Sequence, residues 1–130
     1  MSTTQPTILI TDDNRAFRET LQDVFAPRGF CTFLAADGEE AVKIIRNERI
    51  HVALLDMHMP RLTGLETIYA ARQITTILPF VLITAALDDA IRREAETAHV
   101  FNVLEKPVEL NVVTKVVAEA FRQTYDWVVL

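Results

Sequence analysis

Four apolar runs in this chain end on residues able to do chemistry. ILIT runs into Asp12 and Asp13, VALL into Asp56, FVLI into Thr84, and VLE into Lys106-Pro107. Each has an ordinary structural role when taken singly. Asp13 or Asn14 suits the cap of a following helix, and Asp56 ahead of Met57-His58-Met59-Pro60 suits a turn. Thr84 suits a strand end, and Lys106-Pro107 a loop. Separate roles explain their joint occurrence poorly, and the set has a chemistry of its own. Three gathered carboxylates repel one another, so at neutral pH they need a cation or shifted pKa values. An all-oxygen site that fills only part of a coordination sphere suits Mg²⁺, which keeps waters and takes phosphate oxygens as ligands. A carboxylate beside such an ion is a nucleophile toward phosphorus, giving an acyl phosphate. A lysine then neutralises charge on the transferring oxygens, and a hydroxyl donates to the bound group. On these grounds Asp56 is the expected phosphoryl acceptor, with Lys106 and Thr84 holding the phosphoryl oxygens.

That chemistry requires the four ends to meet, and the order of elements predicts that they do. Strands are expected at 7–11, 30–36, 52–56, 79–84 and 101–105. Amphipathic helices are expected at 14–28, 38–48, 64–75, 88–98 and about 109–125, with Gly29 at the first helix stop. Continuous apolar strands alternating with such helices imply a parallel sheet covered on both faces. Right-handed crossovers bring the C-terminal ends of all strands to one edge, where open sheets of this kind bind ligands.

Length and composition narrow the field further. A chain of 130 residues, half of them hydrophobic, is expected to be one domain with a real core. The single Cys31 has no partner for an internal disulfide, which fits a reducing compartment. The longest apolar stretch, 77–87, is far short of a membrane span. The N-terminal MSTTQPT has no basic segment followed by an apolar core, so a cytoplasmic protein without a secretory signal is expected. A net charge of −5 with scattered arginines argues against nucleic acid as the main ligand. Only three lysines occur, which makes the placement of Lys106 informative.

At these residues the chain resembles the receiver domains of two-component response regulators. The resemblance rests on TDD at 11–13, on DMHMP at 56–60 with Gly64 eight residues beyond Asp56, on Thr84-Ala85 and on Lys106-Pro107. It spans about residues 7–125, leaving an apolar tail at 126–130. It implies a flavodoxin-like, doubly wound fold with strand order 2-1-3-4-5 and helices on both faces. By the same resemblance Asp56 is the phosphoacceptor, and Asp13 and Asp56 are metal carboxylates. Asp12 acts through a water, the backbone carbonyl of His58 is the third protein ligand to Mg²⁺, Lys106 binds phosphate, and the bond to Pro107 is cis. The implied donor is a phosphohistidine on a sensor histidine kinase or phosphotransfer protein.

Departures from the family pattern concern the readout. Receivers usually carry Tyr or Phe three residues before the lysine; here Val103 stands there, with Phe101 two residues earlier. The usual Gly-Ala before the last strand is His99-Val100. A valine cannot report the switch by a large ring swing, so coupling is expected to rest on loop and helix-four shifts. A homodimer through helix four, strand five and helix five stays open. The ring of His58 is expected beside the phosphorylation site, where it affects water access; no second histidine lies at the spacing of a transition-metal site. His51 and His99 are read as structural. The tail WVVL at 127–130 could pack back on the domain, enter a dimer, or lead toward an output domain. Three other functions fit less well. A degenerate receiver acting only as an interaction module is at odds with the intact set of five site residues. An aspartyl phosphatase usually needs an Asp-x-Asp pair with a separate acid. A flavin or nucleotide binder needs a glycine-rich loop, whereas only Gly29, Gly38 and Gly64 are present.

Overall fold

The computed structural model describes residues 5–130, so the first four residues of the segment read for a leader lie outside the described residues. Among the described residues, strands and helices alternate throughout. They are β1 (Thr7–Thr11), α1 (Arg15–Phe25), β2 (Cys31–Ala35), α2 (Gly38–Asn47), β3 (Val52–Asp56), α3 (Gly64–Arg72), β4 (Phe80–Thr84), α4 (Asp89–Thr97), β5 (Asn102–Glu105) and α5 (Leu110–Tyr125). The strands pair in parallel in the order β2-β1-β3-β4-β5. The doubly wound sheet expected from the alternation is therefore present.

Strand alternation divides the interior into two cores. Ile8, Ile10, Leu54 and Ile83 face α1 and α5, where Phe25, Val117 and Phe121 meet them. Leu9, Ala53, Leu55 and Leu82 face the other way, toward Ala41, Ile68 and Ile91 of α2, α3 and α4. The three central strands are buried along their whole length, which is why they read as unbroken apolar runs.

Short polar side chains start the first four helices. Asn14, Asp37, Thr63 and Asp88 each accept a backbone N–H three residues on, and Thr63 forms a reciprocal capping box with Glu66. The cap of α1 is thus Asn14, which leaves the Asp13 carboxylate free for other work. Several boundaries differ from expectation by a residue or more, and three of them have a local cause. Pro27 follows the end of α1, and a 3₁₀ turn over Ala26–Arg28 leads to Gly29 at φ 90°. Helix α3 stops at Arg72 rather than running to Thr75, because the β-branched run Ile74-Thr75-Thr76 favours leaving the helix. Strand β5 starts at Asn102, one residue late, since Phe101 has turned onto the α1–α5 core.

Gly64 sets how closely α3 can approach the end of β3. A Cβ there would lie 2.6 Å from Leu82 Cδ1 and 2.7 Å from the Asp56 carbonyl oxygen. The Gly64 N–H donates to the Met57 carbonyl at 2.8 Å, closing the loop that leaves Asp56. His99 holds the backbone conformation that glycine usually supplies, at φ 55°. The Arg72 guanidinium, stacked on the Phe80 ring, donates to the His99 and Leu78 carbonyls and ties α3 to the start of β5.

Candidate functional site

The C-terminal edge of the sheet collects the residues that the four apolar runs end on. Asp12 and Asp13 follow β1, and Asp56 ends β3, the strand paired with β1. Oxygens from Asp12, Asp13 and Asp56 all lie within 4.8 Å of one another. Asp12 and Asp56 are buried, at 2% and 6% exposure, whereas Asp13 is open to solvent. Lys106 enters from the end of β5. Its Nζ donates to Asp12 Oδ2 at 2.8 Å and lies 3.6 Å from Asp56 Oδ1. The Lys106-Pro107 bond is cis, as the resemblance implies.

Electrostatics follow from that crowding. Burial and then the Asp12 charge push the Asp56 carboxyl above its ordinary range, with Asp13 adding to the rise. The Lys106 ammonium and the His58 backbone N–H, which donates to Asp56, act in the opposite direction. Burial alone would lower the Lys106 pKa, but its hydrogen bond to Asp12 and the two carboxylate charges outweigh that and raise it. One ammonium against three acids leaves excess negative charge. All the donor atoms are carboxylate oxygens, and the solvent-exposed Asp13 leaves room for waters. That donor set fits Mg²⁺.

The remaining expected residues fall around this centre. Thr84 ends β4 and is fully buried, one step beyond Ile83, which lies opposite Asp56 in the sheet. Its hydroxyl accepts the Ala86 N–H at 3.2 Å, and its carbonyl accepts the Lys106 N–H at 2.8 Å. His58 is exposed, two residues past Asp56, and no histidine belongs to the acidic cluster. Val103 lies beside Leu82 and packs on the α2–α3–α4 core. Phe101 packs on the opposite core, so it does not stand in for the missing aromatic.

Contacts around Lys106 and Asp12 add residues that the sequence did not place in the site. The Asn14 N–H donates to Asp12 Oδ1 at 2.8 Å, and Arg18 donates to the Asp12 carbonyl at 2.7 Å. The Phe17 ring lies under Lys106 Nζ, 4.5 Å from its centroid. The available signal was helical. Phe17 is the third residue of a helix that begins just after the acidic pair, so it stays close to the strand ends.

Known proteins resemble this chain in sequence and in fold. The family model for the response regulator receiver domain matches residues 8–118. The response regulator MprA of Mycobacterium sp. (strain KMS) is 38% identical over 103 residues, 79% of this chain and 45% of MprA. The match thus spans somewhat under half the length of that curated relative. A CheY-like receiver domain from Methanospirillum hungatei JF-1 superposes with a TM-score of 0.91 at 21% identity, covering 95% of this chain and 98% of its own. CheY from Borrelia burgdorferi, solved in a CheX-CheY-BeF3-Mg²⁺ complex, gives a TM-score of 0.84 at 25% identity, covering 89% of each chain. With the site residues gathered on this fold and the family model matching most of its length, the chain belongs to the response regulator receiver domain family of two-component systems.

Proposed function

We propose that Asp56 accepts a phosphoryl group from a phosphohistidine donor, on a sensor histidine kinase or a phosphotransfer protein, in a Mg²⁺-dependent reaction. The supporting observation is one contact set: three carboxylates within 4.8 Å, with the Lys106 ammonium 2.8 Å from Asp12 and 3.6 Å from Asp56. Asp13, Asp56 and the His58 carbonyl would hold the ion directly, and Asp12 through a water. When bound, Mg²⁺ supplies positive charge beside the phosphoryl oxygens.

The protein's own groups do the rest. An Asp56 carboxylate oxygen attacks phosphorus as the P–N bond to the donor imidazole breaks, and that nitrogen takes up a proton from solvent. Lys106 turns its ammonium to the phosphoryl oxygens, and the Thr84 hydroxyl donates to one of them. Later a water attacks phosphorus, the bond to Asp56 breaks, and inorganic phosphate leaves. The exposed His58 ring flanks the approach of that water. With Val103 at the usual aromatic position, the switch passes to its partners through Thr84, the following loop and α4. A homodimer through the face of α4, β5 and α5 is one readout consistent with that route.

The acyl-phosphate reading is tested by intact mass after incubation with acetyl phosphate and Mg²⁺. A gain of one phosphate that disappears in Asp56→Asn supports it. No gain favours a receiver that acts only as an interaction module, and turnover of unrelated phosphoesters favours a phosphatase.

A further inference from the structure

We propose that Phe17 is a positioning residue for Lys106: its ring carries the ammonium beside Asp56 while that ammonium changes partners. This rests on Asp56 being the phosphoacceptor. The geometry is a closed circuit of four residues. Asp12 Oδ1 accepts the Asn14 N–H at 2.8 Å, and Asn14 Oδ1 accepts the Phe17 N–H at 3.0 Å. The Phe17 ring lies 4.5 Å from Lys106 Nζ, and Nζ returns to Asp12 Oδ2 at 2.8 Å. The cap of α1 therefore fixes the Phe17 backbone relative to the same aspartate that anchors the lysine. Phe17 also packs against the α1–α5 core, which limits its own movement.

Such a support meets a specific need. Lysine is a point charge on a flexible four-carbon stem, with more rotamer freedom than a catalytic cation should have. In the unphosphorylated domain Asp12 restrains it. A phosphoryl group on Asp56 requires the ammonium to turn from Asp12 toward the new oxygens, and the restraint weakens at that moment. A cation over an aromatic face is attracted to it while it stays within about 6 Å of the ring centroid. A ring under Nζ therefore holds the ammonium before, during and after the exchange, and offers no acceptor that competes with phosphate. Phe17 and Lys106 also line one solvent-open cleft with Asn14, Ala85, Pro107 and Val108, on the side from which a small donor can reach the lysine. A leucine would keep much of the volume and none of the quadrupole.

The experiment compares wild type, Phe17→Leu, Phe17→Tyr and Phe17→Trp in phosphorylation by acetyl phosphate with saturating Mg²⁺. The small donor removes any contact with a protein partner. Phe17→Leu is expected to react about fivefold more slowly, because a lysine without its support is less often aligned with the transferring oxygens; fivefold corresponds to about 1 kcal/mol. Phe17→Tyr and Phe17→Trp are expected to stay within about twofold of wild type, since both keep a π face. Proton NMR supplies a second readout: the Lys106 Hε resonances should be shifted upfield by the ring in wild type and lose that shift in Phe17→Leu. Circular dichroism checks the fold of each variant, and Phe17→Met replaces the leucine variant should that one not fold. The proposal is overturned if the aliphatic variant reacts as fast as wild type, if the aromatic variants are equally slow, or if Lys106 Hε shows no ring shift. A wild type that the donor leaves unmodified overturns the phosphoacceptor reading as well. A reactive wild type with an equally reactive leucine variant overturns only the role of Phe17.

Discussion

Asp56 holds its charge under strain. It is buried and faces the Asp12 carboxylate, and the Lys106 ammonium at 3.6 Å and the His58 backbone N–H offset these only in part. A carboxyl whose folded pKa exceeds its unfolded value keeps its proton in the native state at a pH where the unfolded chain has lost it. Stability therefore falls as pH rises from about the ordinary value of 3.8 through the raised native value. Asp56→Asn removes that cost and should stabilise the Mg²⁺-free domain at neutral pH by about 1 kcal/mol, a rise in melting temperature of about 4 °C. The gain should vanish in acid, where wild type is also uncharged, and shrink when Mg²⁺ is added. Thermal melts across pH, with and without Mg²⁺, check all three; an Asn variant less stable than wild type at neutral pH would show that the carboxylate is already well compensated. At this scale the residues of the candidate site were readable because each ends an apolar run. Which of Asp13 and Asn14 caps α1 was not readable, since both types cap well. Nor was the Phe17–Lys106 contact, which joins residues far apart in the chain.

Elements explain why the site is where it is. Parallel pairing of β1 with β3 puts Asp12 and Asp56 side by side, and Gly64 lets α3 start against the Asp56 carbonyl. One position in the central strands works against the fold. The Thr11 hydroxyl, at the end of β1, is buried with no hydrogen-bond partner. Valine has nearly the same shape and no hydroxyl to desolvate. Thr11→Val should therefore add about 1 kcal/mol of stability, measured by urea unfolding. A loss of stability would reveal a use for that hydroxyl. Strand and helix order was legible throughout from apolar periodicity. The misplaced ends have local causes that periodicity does not carry. Helix α3 shortens at a β-branched run, and β5 starts late because Phe101 turns onto the other core.

Across the whole molecule, the acidic cluster and an aromatic cluster sit at opposite ends of the sheet. At the far end the buried His51 Nδ1 accepts the Thr7 N–H at 3.0 Å, and its carbonyl accepts the Tyr125 hydroxyl at 2.7 Å. Burial and then Arg49 lower the His51 pKa, which favours the neutral ring that this acceptor role needs. Burial pushes the Tyr125 hydroxyl up to about 12, so it remains a donor. Trp127 closes the cluster, with its ring 5.1 Å from His51 and 5.3 Å from Phe121. Of the three fates open to the tail, the structure shows Trp127 and Val129 packed back on the α1–α5 core, with Val128 and Leu130 facing outward. A four-residue apolar segment contains no signal that would choose among those fates, because its partners are His51 and α5. Trp127→Ala should cost about 2 kcal/mol in denaturant unfolding, less than a fully buried ring, and leave the phosphorylation rate unchanged. No loss of stability would mean that the tail is not part of the domain. Phosphoryl transfer to Asp56, at the other end of the sheet, is tested most directly by locating the phosphoryl group. Borohydride reduces an acyl phosphate, but not a free carboxylate, to the alcohol, so a phosphorylated aspartate becomes homoserine. Peptide mapping after treatment with acetyl phosphate, Mg²⁺ and borohydride should find homoserine at position 56 and nowhere else. Homoserine at position 12 or 13, or at no position, would contradict the account.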